Sequence, residues 1–138
     1  MRTFYIFKIS KEMGILLKES PYNLFKSLED IYLLDKASIS LGKDLLDQII
    51  VPIDKMKYNK LIYDKNKDND FYMKMGDTHR IVNKYRKEDT TIVVKRSHIV
   101  LKTNIINKDI RKFLPLQDLF ASDFQNKDYF WLEELVRL

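Results

Sequence analysis

Halfway along this 138-residue chain the spacing of apolar residues changes, and that change limits the possible folds more than any other feature. In the first half they recur every three or four positions, the period of a helix with one buried stripe. Leu24, Phe25, Leu28, Ile31 and Tyr32 predict an amphipathic helix that starts at Ser20-Pro21, since serine caps and proline suits the first helical position. A further helix is predicted from Ser40, with Leu41, Leu45, Leu46, Ile49 and Ile50 on its buried stripe and Pro52 at its end. A shorter helix follows Ser10, whose hydroxyl can accept a backbone N–H, with Glu12 near the positive end and Met13, Leu16 and Leu17 on one stripe. The second half turns to β-branched and aromatic runs: Phe71 to Met75, His79 to Tyr85, Thr90 to Lys95 and His98 to Thr103. Gly76-Asp77 and Arg96-Ser97 supply turns between them, and Thr3 to Ile9 reads as one more strand at the start. Met56 to Tyr63 fits a helix or an extended segment equally, and Asn107 to Phe113 reads as a short helix stopped at Pro115. The expectation is a single α+β domain over residues 1–138, in which three to four helices cover one face of a mostly antiparallel sheet.

The chain closes on a compact aromatic cluster that contains its one tryptophan. Leu119 to Phe124 is an apolar strand, Gln125 to Asp128 is polar turn material, and Tyr129 to Leu132 is a second apolar run. Trp131 and Tyr129 could clamp this segment onto a core, or form an exposed platform for a partner or a single-stranded nucleic acid. Phe120, Phe124 and Phe130 crowd the same stretch, and so many exposed rings would invite aggregation, which points to the core.

Composition excludes several classes of chemistry. With no cysteine there is no disulfide framework, thiol nucleophile or cysteine-bound zinc. His79 and His98 fall in strands at no metal-ligand spacing and read as ordinary strand residues. Gly14, Gly42 and Gly76 are isolated, so no glycine-rich loop can cradle a phosphate. Glu29-Asp30 and Glu133-Glu134 are adjacent carboxylates that read as solvated helix and tail charges. The net charge of +5 is spread among acids, as in Lys65-Asn66-Lys67-Asp68-Asn69-Asp70, which reads as a solvated loop. Direct DNA binding is therefore disfavoured, and a small basic nucleic-acid-binding module is the alternative reading. The start lacks a signal-peptide apolar region, and no stretch approaches the roughly 18 apolar residues of a membrane helix. A non-enzymatic, cytoplasmic, monomeric protein without cofactor or metal is expected.

The closing pattern F-A-x-D-F-x-x-K-x-Y-x-W-L, built on Phe120, Ala121, Asp123, Phe124, Lys127, Tyr129, Trp131 and Leu132, resembles the end of the SirA family, the sporulation inhibitors of replication. The similarity is collinear and extends along nearly the whole chain. Phe4-Tyr5-Ile6-Phe7-Lys8-Ile9 with Lys11-Glu12 is similar to the family's first strand and acidic helix start, and Leu24-Phe25 to its next helix. Gln48-Ile49-Ile50-Val51-Pro52-Ile53 is similar to the segment around its Pro-Ile pair, and Arg80-Ile81 precedes a strand pair. The resemblance implies a regulator that binds the N-terminal domain of the initiator DnaA and inhibits origin firing. It implies that the first helix and the helix ahead of Pro52-Ile53 present the binding surface, with Met13 and Leu17 on one and Leu45 and Gln48 on the other. The family carries aromatic residues at that surface, and none of these four is aromatic. Met13, Ile15, Leu16 and Leu17 are also more apolar positions than one buried stripe can hold, so at least one is expected to face outward.

Overall fold

A computed structural model describes residues 1–33, 39–104, 114 and 117–137, with backbone alone at 39–41 and 135–137. Strand β1 (Arg2–Lys8) leads into helices α1 (Lys11–Leu17), α2 (Pro21–Tyr32), α3 (Ile39–Asp47) and α4 (Lys55–Asn66). Strands β2 (Tyr72–Met75), β3 (Thr78–Asn83), β4 (Glu88–Val94), β5 (Ile99–Thr103), β6 (Leu119–Asp123) and β7 (Asp128–Trp131) follow, and a 3₁₀ turn (Leu132–Arg137) ends the chain. The seven strands form one sheet in the order β2-β3-β4-β5-β1-β6-β7, with every neighbouring pair antiparallel. This is the α+β architecture read from the sequence. The helix expected at Asn107 to Phe113 lies outside the described residues.

Side chains on a strand alternate between faces, so β1 builds two cores at once. Phe4 and Ile6 join Ile81, Ile92, Ile99 and Leu101 beneath Tyr58 and Ile62 of α4. Phe7 joins Phe120, Phe124 and Trp131 beneath Leu24, Phe25 and Leu28 of α2. The expectation that helices cover one face is therefore corrected: α4 takes the face opposite to α2. The correction follows from β1, whose odd and even positions are both apolar, the pattern of a strand buried on two sides.

Local chemistry accounts for most element ends. Met13 donates its backbone N–H to Ser10 Oγ at 3.3 Å, and Lys57 to Asp54 Oδ1 at 3.2 Å, which caps α1 and α4. Ser20 makes no side-chain cap, and α2 begins instead on Pro21 with Ser20 O accepting from Asn23 N and Leu24 N. In α1, Leu16 leaves the expected stripe for the exposed side, and Met13 and Leu17 are the pair that packs against the core. Helix α3 stops at Asp47, five residues before Pro52, because Ile50 leaves the helix to bridge Ile9. That moves Ile49 and Ile50 off the helical stripe while keeping them buried, and leaves Leu45, expected inside, 37% exposed. Met56 to Tyr63 is helical, within α4, whose buried stripe is no wider than Tyr58, Ile62 and Asn66. Asn66, expected in a solvated loop, is buried and donates to Ile62 O at 2.8 Å.

Two four-residue hairpin loops share one solution. Asn83 Oδ1 accepts from the N–H groups of Tyr85 and Arg86, and Asp123 Oδ1 accepts from that of Asn126. Each loop ends on a lysine in the left-handed region, Lys87 at φ 52 and Lys127 at φ 56. Lys127 also pairs with Glu29 across the fold, whereas Lys87 is exposed. Lys87→Gly should therefore be neutral or raise stability by up to about 1 kcal/mol, and Lys127→Gly should lower it, in urea titrations of both variants.

The closing hairpin is core. Trp131 is 5% exposed and meets Phe120 edge to face at 5.1 Å, while Phe124 stacks on Tyr32 at 4.6 Å and Tyr129 on Phe25 at 4.7 Å. Two charged residues outside it, Arg2 and Glu29, fix it. Arg2 donates to Asp123 at 2.9 Å and Asp128 at 2.7 Å, and Glu29 is buried between Lys127 and Lys26. Glu29 was expected to be a solvated charge, and the correction has a clear cause: its partner Lys127 is distant in sequence. The Lys127 hydrogen bond, then that from Lys26, holds the Glu29 carboxyl below the usual carboxylate range. Ending the chain after Gln125 should abolish cooperative unfolding, and Phe120→Ala should cost about 3–5 kcal/mol, both read by circular dichroism during denaturation.

Candidate functional site

Among the described residues no cluster of three or more His, Asp or Glu side chains could hold a metal, and no helix is long and apolar enough to cross a membrane. His79 and His98 lie on opposite faces of the sheet, because His79 pairs in register with Ile92 while His98 packs against the rings of Tyr5 and Phe7.

His79 is a structural pin. Its Nδ1 lies 2.6 Å from Tyr72 Oη and its Nε2 2.7 Å from Asn59 Oδ1. Asn59 Nδ2 donates to Asp77 Oδ1 at 2.9 Å, which turns its carbonyl toward the ring, and Lys55 closes the chain on Asp77 at 2.7 Å. The consistent proton arrangement is Nε2–H donating to Asn59 and Tyr72 O–H donating to Nδ1. Burial, reinforced by Lys74 and opposed by Asp77, pushes the imidazole down from 6.5 to about 4, and burial pushes the Tyr72 phenol up to about 12. The folded state thus takes up the His79 proton less readily than the unfolded chain does. Its contribution is complete above pH 6.5 and is lost as pH falls toward 4, worth on the order of 3 kcal/mol. Urea titrations at pH 7 and pH 4.5 should show that loss, and His79→Gln should flatten the dependence.

The surface around α1 and α3 is better suited to binding. Ile9 and Ile50 form an antiparallel bridge, Ser10 N donates to Ile49 O and Val51 N to Lys8 O, both at 2.8 Å. These bonds join the start of α1 to the segment that follows α3. Ile15 and Leu16 project from α1 at 77% and 72% exposure, while Leu45 and Gln48 are exposed at the end of α3. Of the four residues assigned from sequence, Leu45 and Gln48 are on the surface, and Met13 and Leu17 are half-buried against the core. Ile15 and Leu16 are the outward positions. The signal for them was present, since an i, i+4 pair turned inward leaves the residues between it facing out. Beside α3, a groove of about 690 Å³ is floored by Ile31, Leu46 and Ile50 and edged by Lys43 and Arg96.

The aromatic motif residues Phe120, Phe124 and Trp131 lie in the core on the same sheet face as α2, with Tyr129 half-buried among them. No protein-family model matches the sequence, and no curated protein gives a significant match.

Proposed function

We propose that this protein is a SirA-like, non-enzymatic regulator of replication initiation that binds the N-terminal domain of DnaA in the cytoplasm. The observation that supports this reading best is the exposed apolar pair Ile15 and Leu16 on α1, with Leu45 and Gln48 also exposed at the end of α3. Large apolar side chains exposed on a helix that is anchored to the core suit docking to another folded domain. Inhibition is then steric and stoichiometric. A monomer occupying the initiator's N-terminal domain blocks its self-association or its recruitment of helpers, with no cofactor and no chemical step. Sporulation is the regulatory occasion that the resemblance suggests.

The non-aromatic character of the surface shapes the energetics. Leucine and isoleucine anchors gain by desolvation and shape rather than by ring stacking, so affinity should be concentrated in one or two side chains. Titration calorimetry against the DnaA N-terminal domain should give saturable 1:1 binding that changes little between low and high salt. Truncating a real anchor, Ile15→Ala or Leu16→Ala, should cost about 2 kcal/mol, roughly thirtyfold in Kd, with unfolding unchanged. Met13→Ala and Leu17→Ala should instead lower stability. Absence of heat with the wild-type chain, or binding indifferent to Ile15 and Leu16, would refute the proposal.

A further inference from the structure

Among the described residues, the helical layer on the α2 face stops short of the far side of the sheet. The core beneath α2 draws on β1, β6 and β7 but on no residue of β2, β3, β4 or β5. Strand register identifies which residues of those four strands share that face; Val100 among them is buried, while Met73, Met75, Arg80 and Lys102 are exposed. Met73 lies beside Arg80, Arg80 beside Thr91 and Thr91 beside Lys102; Met75 lies beside Thr78, Thr78 beside Val93 and Val93 beside Val100. Met73 and Met75 are 59% and 71% exposed, and Val82 and Val93 are half-buried. The opposite side of these strands is sealed by Ile81, Ile92 and Leu101 against α4, so this is a supported surface rather than a loose edge.

We propose that the face of β2 to β5 bearing Met73, Met75, Arg80 and Lys102 is a second docking surface, for an amphipathic helix with acidic residues along its margins. The size fits: three inter-strand steps of about 4.8 Å span about 14 Å, and a helix with side chains is about 10 Å across. A helix laid there continues the layer that α2 begins on the same face. Methionine and valine suit its apolar stripe, methionine being able to conform to an irregular partner. Charge selects the partner's margins. Arg80 and Lys102 occupy the central row and Lys95 follows β4, while Asp89, at 3.5 Å from Arg80, is the one acid on this face among the described residues of these strands.

The same charges disfavour the other occupants. Two copies stacked face to face would oppose Arg80 and Lys102 with their own kind, and Lys74 in the middle of the outermost strand β2 hinders edge-to-edge pairing. A single-stranded nucleic acid needs rings to stack on, and the centre of this face carries threonine and valine.

The test is NMR titration of isotope-labelled protein with a synthetic helical peptide bearing leucines on one side and glutamates on the other, beside a twin with lysine for glutamate. Saturable shifts confined to β2–β5, absent with the twin and weakened about tenfold or more in Arg80→Glu/Lys102→Glu of unchanged unfolding midpoint, are expected. Shifts on α1 and α3, equal binding of the twin, or no saturation overturn the proposal. So does movement of these resonances by oligothymidylate or by protein concentration alone, which would assign the face to nucleic acid or to a second copy.

Discussion

The alternation of β1 is the constraint from which the rest of the molecule follows. Its even positions, Phe4 and Ile6, supply the core under α4, and its odd positions, Phe7 and the following Ile9, supply the core under α2. A slip of one residue against either neighbour would exchange the two sets and place large rings where Ile53, Tyr58 and Ile62 leave room for others. Both flanks are held, since β1 pairs with β5 on one side and β6 on the other. Its ends matter equally. Arg2 anchors the closing hairpin through Asp123 and Asp128, and Ile9 anchors the turn after α3 through Ile50.

The closing motif is tied into the fold by its polar residues as well as its rings. The polar members of the closing motif are used within the molecule: Asp123 closes its loop and receives Arg2, and Lys127 reaches buried Glu29. Burial raises the Asp123 carboxyl, but the hydrogen bonds from Asn126 and Arg2 outweigh it and hold the group below its ordinary value. Such a motif specifies a fold rather than a partner. Exposed large apolar side chains lie elsewhere, among them Ile15 and Leu16 on α1 and Met73 and Met75 on β2.

What could be read from the sequence followed the strength of local periodicity. Helix α2 was legible because five apolar positions share its stripe, and β4 and β5 because β-branched residues run through them. Helix α4 was not, since two apolar residues and Asn66 are all it buries. Leu45 was misplaced because the end of α3 is set by a bridge to Ile9, a contact between distant residues. Glu29 was misplaced for the same reason, its partner lying on the last hairpin. At the candidate site, periodicity revealed that α1 was overfull of apolar residues, but only packing decides that Met13 and Leu17 turn in while Ile15 and Leu16 turn out.

The position of β1 has a consequence for synthesis. Of the seven strands, the earliest in chain order lies between β5 and β6, with Arg2 opposite Thr103 and Lys8 opposite Leu119. On the ribosome its apolar residues emerge long before either partner strand exists, so the sheet cannot close until β5 and β6 have been made. The four helices and the β2–β3–β4 meander, all built from near neighbours in sequence, can form while β1 waits. During that interval the unpaired Phe4-Tyr5-Ile6-Phe7 run is an apolar, β-favouring stretch open to pairing with other chains.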